Sequence, residues 1–327
     1  MPLSVGEAPS YPLAQYLEQS NTPHSQLIYG CMGLGGGWNN NSVSGADVKQ
    51  AQAVIETCLA HNIRTFDHAD IYTFGKAEIA FGRVLAEQPH LRAQMSIQSK
   101  CGIRFADALG GKRYDLSPEW VTQSVDSILT RLQIEHIDVL LLHRPDPLLD
   151  VAALAQALMQ LHQQGKIGHI GVSNMHVAQI AQLQAALTIP LVANQIELSL
   201  GHTGLINSAI EPEQPHAGMA EYAQTHGLQI QAWGALFQGQ FTRAIDANTS
   251  TNTQHTINLI NSLANKYGVS QEAIMLSFLT RLPMQIQPII GSTNLARIAD
   301  CAQVYQVRLS RCDWYALLES SRAQEIP

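Results

Sequence analysis

The chain has 327 residues, 46% of them hydrophobic and 14% charged, with a formal net charge of -7. That composition builds a globular protein with a large core and excludes a disordered one. The negative balance gives no basic footprint for nucleic acid or anionic lipid, so a phosphate ligand must be held locally against the overall field.

Residues 1–26 read as an irregular polar leader without a signal-peptide apolar stretch. Residues 27–327 read as one domain. Tyr29 to Leu34 is the first expected strand, followed by glycines at 33, 35, 36 and 37. This run lacks a G-x-G-x-x-G fingerprint set between strand and helix, so it is read as a flexible loop lining a pocket, with Met32 and Trp38 as candidate wall residues. Helical spacing of Val48, Ala51, Val54, Ile55, Cys58 and Leu59 marks a helix over 45–61. A strand and a helix over 77–87 follow, then a third strand and a Gly-rich charged loop over 102–115. Ser117-Pro118-Glu119 opens the next helix, serine as N-cap and proline in the first turn. Helices over 151–164, 177–186 and 218–225 are each followed by a strand-like run, with Gly165 and Gly227 placed as C-caps. Two more helices, over 256–267 and 270–282, precede a last strand over 285–290, and helices over 294–304 and 310–323 close the chain. Trp314 and Tyr315 sit on this final amphipathic helix, which is expected to pack against the domain. Two long excursions, 199–217 and 234–252, are candidate covers for substrate and cofactor.

Strand–helix alternation along the whole length implies a parallel sheet, and eight such units imply a (β/α)8 TIM barrel, an α/β fold with its site at the C-terminal ends of the strands. Six of the apolar runs end on a polar or aromatic residue with chemical capability: Asp67 with Tyr72 beyond, Lys100, His143, Ser173 with Asn174, Gln195, and Trp233. In a barrel these converge on one pocket. A phenol donates a proton at neutral pH more readily when a nearby ammonium favours its phenolate. Lys100 is placed to lower the Tyr72 pKa in this way, Asp67 to keep Lys100 charged, and His143 to hydrogen-bond a carbonyl oxygen.

The run Thr65-Phe66-Asp67-His68-Ala69-Asp70-Ile71-Tyr72, then Ser99-Lys100-Cys101-Gly102, then Leu141-Leu142-His143-Arg144-Pro145-Asp146 resembles the catalytic signature of the aldo-keto reductases, in their bacterial NADPH-dependent branch. Gly171-Val172-Ser173-Asn174, Asn194-Gln195 and Ile289-Ile290-Gly291-Ser292 resemble the family's remaining marks, in order, so the likeness covers about residues 27–310. It implies a barrel that binds NADPH or NADP+ extended across its C-terminal face and reduces aldehydes or ketones to alcohols. By that resemblance Tyr72 is the general acid, Lys100 and Asp67 tune it, and His143 orients the carbonyl. Ser173, Asn174 and Gln195 are expected to hold the nicotinamide carboxamide, and Trp233 to stack on the ring. Gly234, Ala235, Leu236, Gln238 and Gly239 are expected along the pyrophosphate. Gly30, Cys31 and Met32 are expected beside the cofactor, as are Gly291, Ser292, Thr293, Asn294 and Arg297, where a helix N-terminus suits a phosphate. Arg297 is the candidate partner of an adenosine 2′-phosphate and the ground for expecting NADPH over NADH. The sequence departs from the family's commonest pattern at Trp233 (tyrosine), Gly234-Ala235 (Ser-Pro), His68 (threonine) and Gly291-Ser292 (a lysine).

Other readings remain at this stage. A metal-dependent barrel hydrolase would use His68, Asp70, His143 and His169 as ligands. An NADPH-binding redox sensor or regulatory subunit would keep the barrel and show little turnover. The five cysteines, at 31, 58, 101, 301 and 312, are odd in number, scattered and without C-x-x-C, which suggests core thiols and not a disulfide framework. Cys101 is expected to approach the pocket as an oxidation liability. The expected partner is a small carbonyl substrate, with no membrane and no nucleic acid, in a cytoplasmic monomer.

Overall fold

Eight short strands pair in parallel and close on themselves in a computed structural model that describes residues 11–208, 216–323 and 325–326. They are β1 (Ile28–Gly30), β2 (Thr65–Asp67), β3 (Ser96–Cys101), β4 (Ile137–Leu142), β5 (Ile167–Ser173), β6 (Leu191–Glu197), β7 (Gln229–Trp233) and β8 (Gln287–Ile290). Each pairs with its sequence neighbours, and β1 closes the ring by pairing with both β2 and β8 (Ile28 with Thr65 and with Ile289). Their residues are almost all buried, because a closed sheet is covered inside by its own side chains and outside by helices.

The helices form where the sequence signals them. Ser117 Oγ accepts from Trp120 N at the start of Pro118–Leu132. Gly227, at φ 64°, ends Met219–His226 in the left-handed conformation that glycine adopts without a Cβ penalty. The helix Thr251–Tyr267 starts earlier than its apolar spacing implies, because Ser250 caps it through Thr253 N. In the last helix, Arg311–Arg322, Trp314 stacks on Phe278 at 4.9 Å and donates its indole N–H to the Phe278 carbonyl at 2.8 Å. The C-terminal helix thus packs on the barrel, as expected.

The leader differs from its expectation of irregular chain. Ala14–Gln19 is a helix, and Tyr11, Leu13, Ala14 and Leu17 are buried against Val139, Leu141, Val192 and Ala193. Val192 and Ala193 lie early in β6, so the segment plugs the barrel at the end opposite the site. Only one helix face is apolar, and over six residues that pattern is too short to stand out in sequence. The first ten residues of the leader lie outside the described residues, as do 209–215 of the 199–217 excursion. That excursion contains a short helix, Gly204–Ser208, and the 102–115 loop contains a small hairpin pairing Ile103–Arg104 with Arg113–Tyr114. Among the described residues no helix is long and apolar enough to cross a membrane.

Candidate active site

The strand ends of the barrel's C-terminal face surround a cavity of about 600 Å³. Its wall includes Asp67, Tyr72, His143, Ser173, Asn174, Gln195 and Trp233, which come from five strands and the turns that follow them. Lys100 lies just beneath, fully buried at the end of β3. Its Nζ donates to Asp67 Oδ2 at 2.7 Å, to the His68 carbonyl at 2.8 Å and to Tyr72 Oη at 2.9 Å. All three ammonium protons are therefore used. A buried ion pair repays its desolvation only with such full satisfaction.

Burial pulls the Lys100 ammonium down, but Asp67 and then Tyr72 more than offset it, so it is held above the ordinary lysine range. For Tyr72, burial pushes the phenol up and Lys100 draws it back, and the net direction is upward. The expectation that Lys100 leaves Tyr72 with a lowered pKa is thus corrected: the ammonium acts in the expected sense, and desolvation outweighs it. A phenol held this way keeps its proton at neutral pH. His143 is pushed down to about 2, by burial and then by Lys100 and Arg144, so its imidazole is neutral. Its Nδ1 is buried without a partner among the described residues, which leaves Nε2 as the edge for hydrogen bonding in the cavity.

Tyr72 is presented by an unusual turn. Thr73 and Phe74 take φ of 48° and 61°, and Gly75 follows at 82°. Left-handed backbone at a β-branched residue persists only where its surroundings hold it. Thr73 Oγ1 donates to the Leu34 carbonyl at 3.1 Å. Arg131 packs against Gly75, where a Cβ would lie 2.9 Å from Arg131 Cδ, and its Nε donates to Glu78 Oε2 at 2.7 Å. Ser99 donates to the other Glu78 oxygen at 2.8 Å, tying the turn to the strand that carries Lys100.

The expected cofactor residues divide. Gly30, Met32, Gly234, Ala235, Leu236, Gln238, Gly239, Gly291, Ser292 and Arg297 line the cavity, and so does Trp38. Trp233 is fixed by donating its indole N–H to Asn174 Oδ1 at 3.0 Å, and Asn174 in turn donates to Ser173 Oγ at 2.7 Å. Arg297 is half exposed, contacting Glu272 at 3.2 Å and Thr242 at 3.1 Å. Cys31 is corrected: it starts a tight turn, is fully buried, and points its thiol into the core while its neighbours face the cavity. Thr293 and Asn294 are off the wall as well. Asn294 Oδ1 accepts from Ala296 N and Arg297 N, so the helix Leu295–Ala302 spends two first-turn donors on its own cap. Cys101 does not approach the pocket either; strand alternation turns it away from Lys100 into full burial, which pushes its thiol up. The metal reading also fails on placement. His68 is wedged edge-on against Phe81 at 4.6 Å, and His169 meets Tyr16 of the N-terminal helix at the opposite end of the barrel.

Sequence reasoning missed Ile71, Arg144, Ile289 and Ile290 on the wall. It also missed Gln98 and Gln231 beneath it, buried beside Asp67 and Gln195. Their signal was present: each lies two residues before a strand-end functional residue, Lys100 or Trp233, and so shares its inward face.

The barrel and this quartet define a class of protein, and comparison with known proteins gives the family. The description "Aldo/keto reductase family" matches residues 26–321. The chain is 32% identical to oxidoreductase YdhF of Escherichia coli, over 85% of this chain and 90% of that protein. It is 33% identical to a 6-dehydroglucose reductase of Agrobacterium fabrum, over 92% and 96%. Among solved structures it resembles a glycerol dehydrogenase of Gluconobacter oxydans (TM-score 0.76, 23% identity, 93% of each chain). It also resembles a Klebsiella pneumoniae aldo-keto reductase in complex with NADPH (TM-score 0.69, 20% identity, 93% of this chain and 92% of that one). The chain belongs to the aldo-keto reductase family.

Proposed function

We propose that this protein is an NADPH-dependent oxidoreductase that reduces an aldehyde or ketone to the alcohol, with Tyr72 as proton donor. The observation that carries the reading is the Tyr72–Lys100–Asp67 chain, bonded at 2.9 and 2.7 Å, ending at a cavity beside the neutral His143.

The residues present suit a dinucleotide. An indole face at Trp233, amides and a hydroxyl at Gln195, Asn174 and Ser173, and glycine-lined backbone at 234 and 239 share one wall with Arg297. When bound, a dihydronicotinamide supplies a hydride to the carbonyl carbon. His143 donates from Nε2 to the carbonyl oxygen and fixes its position. Tyr72 passes its Oη proton to that oxygen as negative charge develops there, and Lys100 stabilises the phenolate left behind. Asp67 keeps Lys100 charged throughout, so the proton moves without an unpaired charge arising in the buried floor.

A narrower reading within this class concerns the substrate. Trp38 on the cavity wall meets Phe74 and Phe105 edge-on at 5.4 and 6.5 Å, those two rings lie tilted against each other at 5.2 Å, and Arg144 lies over Trp233 at 5.8 Å. An aromatic wall with a guanidinium across the cavity suits an aldehyde that has both C–H faces and hydroxyls. The A. fabrum relative makes 6-dehydroglucose a first candidate to assay.

The test is NADPH oxidation by the purified protein with reactive aldehydes, sugar aldehydes included. Tyr72→Phe is expected to lower kcat by about 10²–10⁴-fold while leaving NADPH affinity within about twofold. Binding without turnover in the wild type would favour the sensor reading instead. Arg297→Ala is expected to weaken NADPH by at least about tenfold and NADH little, since charge-assisted bonds to a 2′-phosphate are among the strong ones. Equal losses would remove Arg297 from that role.

A further inference from the structure

Beneath the cavity the barrel holds amides where parallel barrels usually hold branched apolar side chains. Gln98 on β3, Gln195 on β6 and Gln231 on β7 are all buried. Gln98 Nε2 donates to Asp67 Oδ1 at 2.6 Å and to Gln231 Oε1 at 2.9 Å. Gln195 Nε2 donates to the same two acceptors, at 3.2 Å each. Gln231 Nε2 donates to Gln98 Oε1 at 2.9 Å and to Gln287 Oε1 at 3.3 Å. A side-chain amide nitrogen has two hydrogens, so all three nitrogens are fully used.

The Asp67 carboxylate sets the polarity of this network. It only accepts hydrogen bonds here, so both Gln98 and Gln195 must turn their N–H groups toward it. Turning Gln195 over would put its oxygen against Asp67 Oδ1 and Gln231 Oε1, three acceptors together in a buried site. Gln195 forms part of the cavity wall, and with both N–H groups committed below, it offers the cavity only its oxygen.

We propose that Gln98 and Gln231 are positioning residues that lock Gln195 as a hydrogen-bond acceptor, making the nicotinamide site selective for a ring that carries a carboxamide N–H. The inference rests on the NADP(H) reading above. Gln231 acts by taking the second N–H of Gln195, and Gln98 by holding Gln231 from the other side. Neither touches the cavity, so neither contacts cofactor or substrate.

The experiment compares equilibrium binding of NADP+ with that of its 3-acetylpyridine analogue, in which a methyl replaces the amide NH2. The wild type is expected to prefer NADP+ by about tenfold or more, because the analogue leaves the Gln195 oxygen unpaired. Gln231→Met and, separately, Gln98→Met are expected to bring the preference to within about threefold, as Gln195 gains freedom to present an N–H. Methionine is close to glutamine in volume, and melting temperatures are recorded beside the binding constants. Variants that keep the wild-type preference, whatever their melting temperature, make the glutamines packing residues and overturn the proposal. So does a wild type that binds both dinucleotides equally. A wild type that binds neither overturns the cofactor reading itself, which is a different failure.

Discussion

At the scale of single residues, the site works through what burial does to each ionisable group. His143 is held at about 2, far below an ordinary histidine, because burial and then the Lys100 and Arg144 cations all disfavour its charged form. It is therefore neutral across the working range, and kcat/KM for carbonyl reduction is expected to be flat from pH 5 to 7.5. The decline should come only on the alkaline side, where Tyr72 loses its proton. A pH–rate profile checks this, and an inflection near pH 6.5 that disappears in His143→Asn would contradict it. Residue by residue, the quartet was legible because Asp67, Lys100 and His143 each end an apolar run and Tyr72 follows just beyond Asp67. Cys31 was misplaced because a turn after a strand can aim a side chain either way, and its burial is decided by neighbours far along the chain.

At the scale of elements, the N-terminal helix is the clearest case of structure that sequence hid. Leu13 and Leu17 are fully buried against β4 and β6, at the end of the barrel away from the site. Leu17→Ala is expected to cost about 2–5 kcal/mol of stability, the range for a buried leucine truncated into a cavity. Because the cavity lies at the other end, KM and kcat should stay within about twofold. Denaturant unfolding and steady-state kinetics on the same preparation check both halves, and a kinetic change without a stability change would show that the plug communicates with the site. The alternating strands and helices were readable throughout, since period and caps are local. The helix at 251 was misjudged because serine capping extends a helix beyond its apolar stripe.

At the scale of the whole molecule, the packing of helices on the barrel buries carboxyls as well as apolar groups. Burial and then neighbouring Glu78 push the Asp70 carboxyl up to about 7. Glu78 is raised too, by burial that Arg131 only partly offsets. A carboxyl raised above its unfolded value of about 4 favours the folded state when protonated. That contribution is full below about pH 4 and is lost as pH rises through about 7. Below about pH 6.5 the buried neutral His143 and His68 oppose this loss, because the unfolded chain binds their protons and the fold does not. The melting temperature is therefore expected to fall between about pH 6.5 and 8, and Asp70→Asn is expected to flatten that slope. A wild type whose stability is level over this range would show that Asp70 is ionised in the fold without penalty.

The amino-acid sequence by itself determined the barrel, the order of its elements and the positions of Asp67, Tyr72, Lys100 and His143. Those follow from local periodicity and from the rule that strand ends face one pocket. Only the tertiary structure decided that the leader plugs the barrel and that Cys31, Thr293 and Asn294 lie off the cavity wall. It also decided that Gln98 and Gln231 meet Gln195 and Asp67. These depend on contacts between distant segments, 133 residues apart for Gln98 and Gln231, and no local pattern encodes such a distance. The direction of the Tyr72 shift belongs to the same class, because desolvation is a property of everything packed around a group and not of the group's neighbours in the chain.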